Sequence, residues 1–121
     1  MESYLISIST PRGEVAIAEI IRYKSPLTAE RLYNSLPLQG RVIKIGNSLR
    51  LYVDLKVGVE KATTKVRAGE LAYSPSEKAL IFFFEDYTPP RPVNILGVIK
   101  DGISFLKELR TGDSIRIGRQ N

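Results

Sequence analysis

The fold is decided by Gly69-Glu70-Leu71-Ala72-Tyr73-Ser74-Pro75 and Ala79-Leu80-Ile81-Phe82-Phe83-Phe84, with Pro92-Val93-Asn94-Ile95-Leu96-Gly97-Val98-Ile99 behind them. Ala79 to Phe84 is the most apolar run in the chain, set between a turn at Gly69 and the proline-rich turn of Pro89 to Pro92. It is too short for a typical helix, and three adjacent phenylalanines favour a strand. Successive side chains on a strand point to opposite faces, so the three rings cannot share one side. One parity fills an interior; the other must lie under a helix, a loop, a partner or a ligand.

Working outward, the flanking segments also read as strands. Ser3 to Ser9 alternates loosely, with Tyr4, Ile6 and Ile8 on one side. Pro11-Arg12-Gly13 turns it into a partner strand, Glu14 to Tyr23, in which Val15, Ile17, Ile20 and Ile21 are apolar. Ser25-Pro26 predicts a helix over 26–36, with a hydroxyl cap, proline in the first turn, and Ala29, Leu32, Tyr33 and Leu36 on one face. Arg41 to Ile45 is a short strand. Leu49 to Glu60 alternates most cleanly and predicts one long half-buried strand. Asn94 to Lys100 and Asp113 to Ile117 are further strands, separated by a short helix carrying Ile103, Phe105, Leu106 and Leu109. Arg12-Gly13-Glu14, Arg67-Ala68-Gly69-Glu70 and Arg110-Thr111-Gly112-Asp113 share turn chemistry ahead of a strand. About eight strands and two short helices predict an all-β fold closed into a barrel, since closure removes exposed edges.

With 121 residues the chain has room for one domain, 1–121. It has no cysteine, histidine or tryptophan. Disulfides, Cys/His zinc sites and His-dependent nucleophile pairs are therefore excluded. No carboxylate spacing suggests a calcium loop and no glycine-rich phosphate loop occurs, so no metal or cofactor is expected. Neither a membrane-spanning run nor a signal-like start is found, which predicts a cytoplasmic protein with no membrane partner. The net charge is +5, and it concentrates between Arg41 and Arg67. Such a window can attract nucleic acid, but it is more often an ordinary solvated face, and nucleic acid ranks last among the expected partners.

The helix phrase Ser25-Pro26-Leu27-Thr28-Ala29-Glu30-Arg31-Leu32 with Leu36-Pro37-Leu38, taken with the opening phrases, resembles the small prokaryotic cyclophilin-like proteins, a family of unknown function. The resemblance covers nearly the whole chain in order and spacing. It implies a cyclophilin-like barrel, similar in fold to peptidyl-prolyl isomerases, with its groove on the outer wall. The chain departs from the pattern at Gly46-Asn47-Ser48, where the family often has Gly-Asp-Glu. It departs again at Ser74 in place of tryptophan, at Glu85 in place of glycine, and in a shorter loop from Thr88 to Pro92. Those positions are where a pocket rim is expected. True cyclophilins carry their catalytic arginine in a Phe-His-Arg phrase that is missing here, so no catalytic residue is assigned.

The candidate ligand-binding residues are therefore outward-facing ones. Arg50 beside Tyr52 can hold a carboxylate or carbonyl next to an aromatic surface. Tyr73, Phe82, Phe84 and Tyr87 are expected as an aromatic pocket wall, and Asn94 as a polar anchor. The leading expectation is a non-catalytic module binding a peptide or small molecule. The alternatives are a divergent prolyl isomerase with Arg50 as donor, nucleic-acid binding through 41–67, and a homodimer burying the leftover phenylalanine parity.

Overall fold

The computed structural model describes residues 2–13, 15–61 and 63–120, leaving Met1, Glu14, Ala62 and Asn121 outside. Nine strands form one sheet: β1 Ser3–Ser9, β2 Val15–Ile21, β3 Leu38–Arg41, β4 Ile43–Ile45, β5 Ser48–Tyr52, β6 Glu70–Ser74, β7 Ala79–Phe83, β8 Asn94–Asp101 and β9 Ser114–Gln120. Helix α1 is Pro26–Ser35 and α2 is Ile103–Glu108. The strand order is β3-β9-β1-β2-β8-β6-β7-β5-β4, and every pairing is antiparallel.

The two ends of this order are neighbours in sequence, and that closes the barrel. The expected single strand Arg41–Ile45 is in fact two strands divided at Val42. This buried residue leaves the sheet edge and exchanges hydrogen bonds with the turn before β9, its N–H donating to the Asp113 carbonyl at 2.9 Å and its carbonyl accepting from the Gly112 N–H at 2.9 Å. Before the break the chain pairs with β9; after it, with β5. Gly40 marks the seam, since a Cβ there would stand 2.8 Å from Leu51 Cδ1 on β5.

Large and small side chains alternate across the interior. On β1, Tyr4, Ile6 and Ile8 point inward, opposite Ile20, Ala18 and Ala16 of β2. The inward face of β2 thus carries two alanines beside Ile20, which make room for Ile6 and Ile8, while Ile17 and Ile21 lie half-buried on the other side. At the β2–β8 crossing there is room for no side chain at all. A Cβ on Gly97 would lie 1.7 Å from the Glu19 carbonyl oxygen.

The long alternating segment gives a second correction. Pairing stops at Tyr52, because its partner β7 begins at Ala79 opposite it. Beyond that point the apolar parity still buries Leu55 and half-buries Val53 and Val57; the Val53 N–H still donates to the Lys78 carbonyl at 2.9 Å, and a side chain holds the backbone further on. The Tyr73 hydroxyl donates to the Val53 carbonyl at 2.9 Å and accepts from the Leu55 N–H at 3.0 Å. Burial, reinforced by nearby Asp54 and opposed by the Leu55 N–H, raises the Tyr73 hydroxyl above its ordinary pKa.

Helix α1 starts at Pro26 as expected, but its cap comes from elsewhere. The Ser25 hydroxyl donates to the Ile95 carbonyl at 2.8 Å and makes no cap bond. Glu60 supplies the cap instead, accepting from the N–H groups of Leu27 at 2.7 Å and Thr28 at 2.9 Å and from the Thr28 hydroxyl at 2.8 Å. Burial pushes the Glu60 carboxyl up, yet these donors and Lys61 outweigh it and hold it below its ordinary value.

Candidate functional site

Register on the β5–β7–β6 wall decides which phenylalanines reach the outer face. Phe82 pairs with Leu49 and Leu71, and all three face the interior. Phe83 pairs with Ser48, and Ile81 with Arg50, which places these four on the outer face. There Ile81, Phe83, Ala72 and Ala79 form a second apolar layer, covered by Val66 and Val93. Two isolated backbone bridges, Val66 to Tyr87 and Thr63 to Val93, hold the covering loops down.

The cover is incomplete at one end. Ile45, Gly46, Asn47, Ser48, Arg50, Phe83, Glu85 and Tyr87 line a cavity of about 210 Å³. Phe83 and Tyr87 stack with ring centroids 6.1 Å apart and planes at 27°, forming an apolar side. Arg50 supplies the polar floor although only 7% of it is exposed. Its Nε donates to Glu77 Oε1 at 2.8 Å, its Nη2 to Glu77 Oε2 at 3.4 Å and its Nη1 to Ser48 Oγ at 2.5 Å. Glu77 sits on the β6–β7 turn, where its N–H donates to Ser74 Oγ at 3.2 Å. On the rim, Asn47 Nδ2 donates to Glu85 Oε1.

Of the expected site residues, the structure brings together Arg50 and Tyr87. Tyr52 shares the outer face two positions from Arg50 and is 48% exposed, but it lies outside the cavity lining. Tyr73 and Phe82 are interior, and Phe84 belongs to the same core while bordering a shallow depression with Lys44, Asn47, Glu85 and Lys107. Asn94 is fully buried. Its amide donates to Thr28 Oγ1 at 3.1 Å and to the Gly58 carbonyl at 2.9 Å, and its oxygen accepts from the Glu60 N–H at 2.8 Å.

Parity puts Phe83, and neither Phe82 nor Phe84, at the cavity. Three other lining residues, Asn47, Ser48 and Glu85, stand where the chain departs from the family pattern; that signal was present in the sequence. Ser74, a further departure, supports the turn that carries Glu77. Among the described residues no group of three potential metal ligands comes together. The cavity can accept apolar surface against two rings and hydrogen bonds at a guanidinium, a hydroxyl and an amide–carboxylate pair. It offers no imidazole for proton transfer.

This is a small antiparallel β-barrel with a recess of about 210 Å³ on its outer wall. A profile of the cyclophilin-like family matches residues 5–118, and the chain belongs to that family. No curated protein matches the sequence. Among solved structures, the hypothetical protein AF2241 from Archaeoglobus fulgidus superposes with a TM-score of 0.80 at 22% identity, over 98% of this chain and 96% of that one. McbB, solved in complex with tryptophan, superposes with a TM-score of 0.79 at 19% identity, over 96% of this chain but 45% of that one. At these identities the likeness is one of fold. No helix among the described residues is long and apolar enough to cross a membrane.

Proposed function

We propose that the protein is a non-catalytic binding module that takes a small molecule, or one side chain of a peptide, in the recess between Arg50, Phe83 and Tyr87. The observation that carries this reading is a nearly buried cation beneath an aromatic pair in an open cavity. Pockets for drug-sized ligands run to roughly 300–1,000 Å³, so a recess of about 210 Å³ suits a fragment or a single ring. Binding is favoured over isomerase chemistry because Glu77 compensates the Arg50 charge, while one N–H on each of Nη1 and Nη2 is left to anchor a ligand.

Tryptophan, the ligand solved with McbB, is the first probe. The chain has no tryptophan of its own, so indole fluorescence reports the ligand alone. A saturable change that is lost in Tyr87→Ala supports the reading. If tryptophan, phenylalanine and short aromatic peptides all leave the signal unchanged, the reading fails. In a prolyl-peptide isomerisation assay, wild type and Arg50→Lys are both expected to match the uncatalysed rate. Activity in wild type that Arg50→Lys abolishes would contradict a non-catalytic role.

A further inference from the structure

The basic window from Arg41 to Arg67 does not stay together in space. Lys44 donates to the Lys107 carbonyl and Arg41 to the Gly112 carbonyl, both near the end of α2, while Arg50 is paired with Glu77. Lys61, Lys65 and Arg67 instead converge with Lys24, which the linear window does not contain. Together with Thr63, Glu70 and Ile95, these four cations line a depression of about 400 Å³. Lys65 and Arg67 also line the adjoining depression of about 590 Å³, with Val66, Asp86, Tyr87 and Thr88. The two form one trough across the loops that cover the outer wall.

Its charge is offset only in part: four cations stand against Glu70 and Asp86, which leaves the lining at a formal +2. Among the described residues none of the four cations forms an ion pair with a carboxylate. The two acids present are occupied by backbone: Glu70 accepts from the Arg67 N–H at 2.7 Å, and Asp86 from the Ala68 N–H at 2.9 Å. Tyr87 lines the second depression, and Tyr23, on the neighbouring surface with Glu2, Arg22 and Pro26, adjoins the first through Lys24 and Lys61. Tyr23 is 67% exposed, with Lys24 Nζ 5.7 Å from its ring centroid and Lys61 Nζ 3.4 Å from its carbonyl oxygen. Tyr87 is 46% exposed.

We infer that this trough binds a short stretch of single-stranded nucleic acid, with phosphates on Lys24, Lys61, Lys65 and Arg67 and bases stacked on Tyr23 and Tyr87. Cations that track a backbone between exposed aromatic rings are the combination such binding uses, and it needs no sequence readout. An acidic peptide would satisfy the cations but leave both rings without a role. The trough is separate from the Arg50 recess, although Tyr87 borders both.

The test is fluorescence anisotropy of a labelled oligothymidine at about 50 mM salt, repeated up a salt series. Four phosphate contacts on a single strand predict a log–log salt slope between about −2 and −3, and Lys65→Ala or Arg67→Ala each reduces it by about 0.7. Tyr23→Ala, which lies outside the Arg50 recess, weakens binding about tenfold with the slope unchanged. Lys65→Glu with Arg67→Glu abolishes oligothymidine binding and leaves the tryptophan response intact, which separates this inference from the one above. Lys56→Glu with Lys107→Glu makes the same charge change outside the trough and costs less than threefold. No binding by folded wild type, or equal loss from the two charge pairs, overturns the proposal. So does displacement of the oligonucleotide by polyglutamate at equal charge, because that outcome makes an acidic peptide the occupant.

Discussion

Two buried polar clusters lie on the same barrel and invite comparison. In the first, Asn94 ties Thr28, Gly58 and Glu60 together at the start of α1, and both its amide hydrogens and its oxygen are used within the protein. In the second, Arg50 holds Ser48 and Glu77, yet it also forms the floor of a recess with one aromatic side. Both clusters bury polar groups at a desolvation cost, and in both the partners repay it. The difference is closure: one cluster is sealed, while the other faces space that a ligand can enter. Burial alone does not distinguish the two clusters; what lies on the open side does.

The comparison is broken most forcefully at Asn94. Asn94→Ala leaves the Glu60 N–H and the Gly58 carbonyl without their partner, and a loss of about 3 kcal/mol in chemical denaturation is expected. The tryptophan response of the remaining folded protein should not change. Glu77→Ala strips the Arg50 guanidinium of its carboxylate and is expected to cost about 1–2 kcal/mol, less than at a sealed site because Glu77 is 35% exposed. In contrast to Asn94→Ala, it should change ligand affinity, with carboxylate-bearing ligands gaining from the freed cation.

Acid sharpens the contrast further. Glu60 has a folded pKa below its unfolded value, so at low pH the unfolded chain binds more protons. Its contribution is complete above the ordinary carboxylate value of about 4.3 and is lost as pH falls through the lowered folded value. Denaturation midpoints of wild type should therefore fall more steeply than those of Glu60→Gln below about pH 4, the difference fading in acid. Tyr87→Ala comes last in stability, at under about 1 kcal/mol because the ring is half exposed, yet it should abolish binding at the recess.

The barrel was legible because its signals are local. Alternation in Ser3–Ser9, the Ser25-Pro26 helix start and the breakers around Ala79–Phe84 each act within a few residues. Other features rest on distant partners. Leu49 to Glu60 keeps its alternation after its partner strand has ended, so nothing local marks Tyr52 as the last paired residue. The cap of α1 comes from Glu60, far along the chain, while the serine that looks like a cap bonds elsewhere. Ala79–Phe84 is buried on both faces, so hydrophobicity carries no information about which phenylalanine meets the recess. Only pairing with Ser48 decides for Phe83. Lys24 joins the basic trough by folding alone.

The most direct test of the account is amide and arginine-side-chain chemical-shift mapping while tryptophan is titrated into labelled protein. Shifts at Asn47, Ser48, Glu85, Tyr87 and the Arg50 Nε–H, with Asn94 and Glu60 still, are the predicted result. Shifts centred on Asn94 and Glu60, or an Arg50 Nε–H that does not move while others saturate, would contradict it.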